Sequence, residues 1–327
     1  MKATAIAHPN IALIKYWGKR DDRLNLPMNP SLSLTLGGLS TKTTVEFSEK
    51  LQKDYIEING EIAAGEKHSR AKRHLDLIRE RAGIRMAARV ASRNDFPTAA
   101  GLASSASGFA ALTVAGCAAA GLRLGARELS AIARLGSGSA CRSLYGGFVE
   151  WKRGRSERSS YAVQVADEHH WNVRDVIAIV EPGEKRVSST RGMQMTVRTS
   201  PYYGGWLRTV RRQLAEMRRA IMARDFRRMG KLAELNSFMM HALMMTTSPP
   251  LMYWVPGTMA VIHEVERMRR DGLDAYCTID AGPNVHVLCL PKDEREVAER
   301  LGRIHFVEKT IASGPGPGPR LTAEHLF

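Results

Sequence analysis

The chain has 327 residues, 44% hydrophobic and 25% charged, and its 48 Lys and Arg against 33 Asp and Glu give a formal charge of +15. That length excludes a peptide, a zinc-finger module or a disulfide miniprotein, and the apolar content excludes a disordered chain. The basic residues are mostly Arg and scattered, and aromatics make up only 6%, so the interleaved basic and aromatic stripe of a nucleic-acid binder is missing.

Residues 3–7, 31–36, 43–47 and 55–58 are predicted strands, with a turn at Asn59-Gly60. A helix over 68–81 and a strand over 86–92 follow. A loop over 94–101 then enters an Ala-rich segment that runs to Leu122, a helix over 128–135 and a strand over 147–151. The second half opens with a continuous apolar strand over 176–180. Trp206, Val210, Leu214, Met217 and Ile221 mark one face of a helix. A further helix over 226–244 stops at Pro249-Pro250, and another over 257–270 ends at Asp271-Gly272. Strands over 275–279 and 284–290 flank Asp280-Ala281-Gly282-Pro283 as a hairpin-like pair, and a helix over 294–301 follows. The Gly-Pro alternation over 314–319 reads as a stiff segment without regular structure. Early strands followed by helices point to an α+β fold, with a soft boundary near 172–185.

The four cysteines, Cys117, Cys141, Cys277 and Cys289, form no C-x-x-C pair and read as buried reduced thiols of a cytoplasmic protein. The ten histidines lack metal-ligand spacing, so no transition-metal site is expected. Lys15 and Lys19 interrupt any signal-peptide core, and the longest apolar run, 109–122, is too short to span a bilayer. The arginines at 211–212, 218–219 and 227–228 alternate with apolar residues at helical spacing and read as a solvated face. Trp17, Phe96, Trp206, His241, His286 and the methionines at 239–240 and 244–245 read as structural.

Pro97-Thr-Ala-Ala-Gly101-Leu102-Ala103-Ser104-Ser105-Ala106 leaves a predicted strand and opens a helix. Small side chains let backbone N–H groups approach an anion, and the helix N-terminus favours negative charge. By composition alone, a close-packed helix start with capping serines fits equally well. No Gly-Lys-Ser/Thr follows, so the segment is not a Walker A loop.

This segment meets every fixed position of the P-x-x-x-G-L-x-S-S-A phosphate motif and so resembles the GHMP kinase superfamily. Three further segments narrow the resemblance. They are Asn10 to Arg20 with Leu24 to Ser33, Gly136 to Gly147, and Thr278-Ile-Asp280-Ala-Gly282-Pro283-Asn284. Together, over residues 4 to about 320, they resemble the diphosphomevalonate decarboxylase family. The resemblance implies a GHMP kinase fold. Residues 1–178 would form a domain like the second domain of ribosomal protein S5, and 179–327 a ferredoxin-like domain. The active site would lie in the cleft between them.

The activity implied is ATP-dependent decarboxylation of (R)-5-diphosphomevalonate to isopentenyl diphosphate, in the mevalonate route to isoprenoids. Asp280 would accept the substrate's hydroxyl proton and Lys15 would neighbour it. Tyr16, Lys19, Ser137, Ser139, Arg142, Ser188, Ser189 and Arg191 would contact the substrate, with Arg70 or Arg73 as one further phosphate contact. Pro97, Gly101, Leu102, Ala103, Ser104, Ser105 and Ala106 would hold ATP, with Ser105 on a Mg²⁺ ion. A homodimer is expected, with no nucleic-acid or membrane partner. The rival readings are a decarboxylase of 5-phosphomevalonate, a small-molecule kinase of the same fold and, from another class, a basic nucleic-acid-binding protein.

Overall fold

A computed structural model describes residues 1–96, 104–181 and 187–327. Its first half carries a six-stranded sheet ordered 320–322, 2–7, 41–48, 87–94, 55–58 and 61–62. On the strand Thr41–Ser48, alternation sends Val45 and Phe47 inward. The Asn59-Gly60 turn is present, with both residues at positive φ, and joins Tyr55–Ile58 to Glu61–Ile62. The helices Gly65–Ala82 and Ser104–Ala119 cover this sheet. Ala110, Ala111, Ala115 and Ala119 are buried in that contact, where larger side chains would hold the helix away.

A second sheet, ordered 162–166, 148–151, 31–35 and 10–14, stands between the two halves. The C-terminal sheet is ordered 276–278, 285–289, 174–179 and 309–313. Helices Ser189–Thr199, Tyr203–Met222, Phe226–Met245, Pro256–Arg270 and Glu294–Gly302 accompany it. Trp206, Val210, Leu214, Met217 and Ile221 are all buried. They share one core with Ile11, Leu13, Trp17, Leu32 and Phe148 of the first half, so a continuous apolar seam joins the halves beneath the site.

The mixed α/β architecture is the expected one, and Trp17, Phe96 and Trp206 are core residues. All four cysteines are buried and free. The segment 314–319 is without regular structure, as expected, apart from one bridge between Pro315 and Leu36, yet it is tied into the fold. Its Gly314 carbonyl accepts from Gly37 N–H, its Gly316 N–H donates to the Thr35 carbonyl, and its Gly316 carbonyl accepts from Gly147 N–H. Proline removes donors but leaves carbonyls, so an alternating Gly-Pro run can still be tied down. The chain then adds the strand Arg320–Thr322 to the edge of the first sheet. Strands 10–14, 162–166 and 309–313 and the helix Ser189–Thr199 also lie outside the expected elements.

Candidate active site

The strand Asn10–Ile14 is buried along its whole length and delivers Lys15 at its end. Lys15 N–H donates to Asn236 Oδ1 at 2.7 Å, and its carbonyl accepts from Asn29 Nδ2 at 2.8 Å. Asn236 is fixed in turn by donating to Gln213 Oε1 at 2.8 Å. From the other half, the strand Tyr276–Thr278 delivers Asp280. The Thr278 hydroxyl donates to the Ala12 carbonyl at 3.1 Å, Ile279 N–H donates to Ser237 Oγ at 2.8 Å, and Gly282 N–H closes the turn on the Asp280 carbonyl. These ties bring Lys15 Nζ to 2.6 Å from Asp280 Oδ1.

Lys15 is 1% exposed and Asp280 33%, so the carboxylate is partly open to solvent and the ammonium lies behind it. Burial lowers the Lys15 pKa, with Arg142 adding to that and Asp280 opposing it. Burial would raise the Asp280 pKa, but the charge and hydrogen bond of Lys15, helped by His286 and Arg142, bring it below the usual carboxylate value. His241 is buried nearby, and its pKa is pushed down to about 3, chiefly by burial.

Cations converge beside this pair. Arg142 is buried, donating Nε to Asn10 Oδ1 at 3.2 Å and Nη1 to Ser31 Oγ at 2.7 Å. Among the described residues no carboxylate bonds to it directly, and Asp280 acts on it only through its charge. A buried cation hydrogen-bonded only to neutral groups invites an anionic ligand. Lys19 and Arg70 lie close enough that Arg70 adds to the burial that lowers the Lys19 pKa. Arg70 Nη2 donates to the Gly136 carbonyl at 3.1 Å, whereas Arg73 points to solvent. Of the two, only Arg70 is turned toward the Gly136–Gly138 segment.

Tyr16 lies edge-on to Trp151 at 4.7 Å, and its buried hydroxyl has no partner among the described residues. A methyl group on Gly138 would come within 3.0 Å of both rings, so glycine lets the Gly138–Leu144 turn of helix close on Tyr16. Ser137 Oγ is 3.4 Å from Ser105 Oγ, and the Ser139 carbonyl accepts from Asn10 Nδ2 at 3.3 Å. Ser105 is exposed at the start of the helix Ser104–Ala119 and Ala106 is buried. Pro97, Gly101, Leu102 and Ala103 lie outside the described residues.

Ser188 caps the helix Ser189–Thr199 by accepting from Arg191 N–H at 3.4 Å, and the Arg191 side chain is exposed. Gln194 of that helix donates to Asp22 at 2.9 Å, which ties it to the end of the short strand Lys19–Asp21. Asn10, Ser31, Asn29 and Asn236 have no assigned role in the sequence reading. Their signal is available there: polar residues inside apolar runs have to be satisfied by something.

Residues 7–162 match the model of the diphosphomevalonate decarboxylase-like N-terminal domain, and residues 175–319 that of the mevalonate 5-diphosphate decarboxylase C-terminal domain. The chain is 38% identical to the diphosphomevalonate decarboxylase of Candida albicans over 99% of each. It is 42% identical to that of Homo sapiens over 88% of this chain and 76% of the human one. Its fold is similar to the solved structure of MDDEF in complex with MVAPP, AMPPCP and magnesium, with a TM-score of 0.94, 42% identity and 98% and 99% of the two chains covered. Mevalonate diphosphate decarboxylase from Staphylococcus aureus superposes with a TM-score of 0.94 at 40% identity, over 98% of each chain.

Proposed function

The chain belongs to the diphosphomevalonate decarboxylase family, and from that premise we infer how its own residues share the work. It is an ATP-dependent decarboxylase that converts (R)-5-diphosphomevalonate to isopentenyl diphosphate, CO₂, ADP and phosphate. The substrate's tertiary hydroxyl lies β to its carboxylate, so no carbonyl can accept the electrons released with CO₂, and hydroxide leaves poorly. Transfer of the γ-phosphoryl of ATP to that oxygen turns it into phosphate. Asp280 takes the hydroxyl proton as the new O–P bond forms. The C3–O bond then breaks with its electron pair on phosphate. The C1–C2 electrons become the C2=C3 double bond as CO₂ departs.

Lys15 keeps Asp280 anionic and offsets charge on the transferred phosphoryl. Arg142, Lys19 and Arg70 hold the diphosphate, with Tyr16, Ser137 and Ser139 around it, and Ser188, Ser189 and Arg191 close the substrate from the facing helix. ATP phosphates would lie over the helix opened by Ser104 and Ser105, with Ala106 of that helix and Pro97, Gly101, Leu102 and Ala103 of the preceding segment as the further contacts. The exposed Ser105 hydroxyl is an oxygen donor of the kind Mg²⁺ accepts. No cluster of His, Cys, Asp and Glu suited to a metal exists among the described residues, so phosphates and water would supply most of its ligands. When bound, the ion neutralises phosphate charge. What carries this assignment is the Lys15–Asp280 pair set beside a buried Arg142 to which, among the described residues, no carboxylate bonds directly.

The test supplies ATP, Mg²⁺ and either 5-diphospho- or 5-phosphomevalonate while ADP and CO₂ are followed. Equal amounts of ADP and CO₂ are expected with the diphosphate, and little of either with the monophosphate. ADP without CO₂ would reduce the site to a kinase. Arg70→Ala should raise the KM for the diphosphate at least ~10-fold, the loss of one charge-assisted phosphate contact. Arg73→Ala should change it less than about 2-fold, as solvated surface charges do.

We further propose a division into two domains between residues 166 and 174, where the chain passes from the second sheet to the C-terminal one, rather than at 178/179, which falls inside the strand Arg174–Ile179. A homodimer is proposed on the family resemblance, and a reducing, cytoplasmic setting on the four free buried cysteines. No helix among the described residues is long and apolar enough to cross a membrane.

A further inference from the structure

A second buried ionisable pair lies behind the catalytic turn. Asp175 on the strand Arg174–Ile179 is 0% exposed and His286 on Val285–Cys289 is 4% exposed. His286 Nδ1 lies 2.7 Å from Asp175 Oδ2, within hydrogen-bond distance. Asp175 Oδ1 is buried with no hydrogen-bond partner among the described residues. An apolar pair of similar volume would stabilise the sheet as well or better, so stability does not account for these two groups.

Strand register indicates what does. Asp175 sits opposite Leu288, and His286 opposite Thr278. Alternate residues share a face, so Asp175, His286 and Thr278 lie on one side of the sheet. That side meets the strand Asn10–Ile14, because the Thr278 hydroxyl donates to the Ala12 carbonyl. Asp280 follows Thr278 by two residues, and Lys15 follows Ala12 by three. The pair therefore abuts the Lys15–Asp280 contact from within the fold.

The charges that face Asp280 come from three elements: Lys15 after the first-half strand, His286 on the sheet and Arg142 in the Gly138–Leu144 turn. Lys15 is faced by Asp280, Arg142 and Asp175. His241, from the helix Phe226–Met245, faces both and is neutral through burial. Asp175 is further faced by Cys289 on the sheet.

We propose that Asp175 and His286 are positioning residues that hold Asp280 anionic and Lys15 cationic, widening the pH range of turnover without touching substrate. This rests on Asp280 and Lys15 being the catalytic pair. Turnover then fails on the acid side as Asp280 protonates and on the alkaline side as Lys15 loses its proton. Removing the His286 charge raises the Asp280 pKa and moves the acid limb up. Removing the Asp175 charge lowers the Lys15 pKa and moves the alkaline limb down.

The experiment records kcat against pH for the parent, His286→Gln and Asp175→Asn with saturating ATP, Mg²⁺ and diphosphomevalonate, with circular dichroism and melting as the check on fold. The acid limb of His286→Gln should rise by about half a pH unit or more, and the alkaline limb of Asp175→Asn should fall by a similar amount. kcat at the optimum should drop about 3–10-fold, with both KM values within about 2-fold of the parent. Should either variant fold poorly, His286→Asn, which keeps a donor for Asp175 but carries no charge, must still show the raised acid limb. Limbs that superimpose on the parent in folded variants overturn the proposal, even if kcat or the melting temperature falls. An active Asp280→Asn would instead overturn the reading of the catalytic pair.

Discussion

Asp280→Asn should abolish turnover, lowering kcat by at least ~10³-fold while ATP still binds. The amide matches the carboxylate in shape but cannot take a proton from a tertiary alcohol, and it cannot balance the Lys15 ammonium 2.6 Å away. The side chain is 33% exposed, so the turn tolerates the change. Its backbone is held independently, by Ser237 on Ile279 N–H and by Gly282 N–H on the Asp280 carbonyl. The fold and the nucleotide site should therefore survive. Fluorescent nucleotide titration and a thermal melt read binding and fold, and single-turnover CO₂ release reads chemistry. A folded variant that kept more than a few per cent of parental kcat would remove Asp280 from the role of base.

Lys15→Met should cost about 10²–10³-fold in kcat and move the acid limb of the profile upward. Met has nearly the volume of Lys without its charge. Two opposing influences set the Asp280 pKa: burial raises it, and Lys15, by charge and hydrogen bond, more than offsets that. With the ammonium gone, burial dominates, and Asp280 protonates at a higher pH. Activity, which needs the carboxylate, is then lost from a higher pH as the solution is acidified. Burying Met in place of a charge costs the core little, and the one-third-exposed carboxylate can still draw water. The melting temperature should therefore change less than the rate. Because the two residues act as a unit, the double variant Lys15→Met with Asp280→Asn should be little slower than Asp280→Asn alone. Multiplicative losses would show that Lys15 works independently of Asp280.

Much of the fold was legible in the sequence, and the misses have physical causes. The helix Tyr203–Met222 carries an apolar face spaced at 3.6 residues, and that face is the buried one. The strand Ala162–Ala166 is harder to read because its phase is inverted. Ala162 and Ala166 face inward, and Val163 and Val165 are only partly buried. The strand Asn10–Ile14 is buried on both faces, so it shows no alternation. The strand Arg320–Thr322 exists because an edge was open beside Lys2–Ala7, and a local sequence cannot report an open edge far away.

The candidate site divides the same way. Sequence alone determined the residue types with suitable chemistry: the small-residue loop before Ser104, the Asp280 turn and the basic residues Lys15, Lys19 and Arg142. It left Arg70 and Arg73 equal, because three residues apart on a helix is a difference of phase that only packing against Gly136 resolves. It held no sign that Arg142 is buried with no carboxylate bonded to it directly among the described residues, or that Asp175 and His286 abut the catalytic pair. Periodicity, capping and turn chemistry act between residues a few positions apart, and those the sequence reports. Charge pairing acts through space, here across 265 positions from Lys15 to Asp280, and only the tertiary structure decides which charges meet and which are left for a ligand.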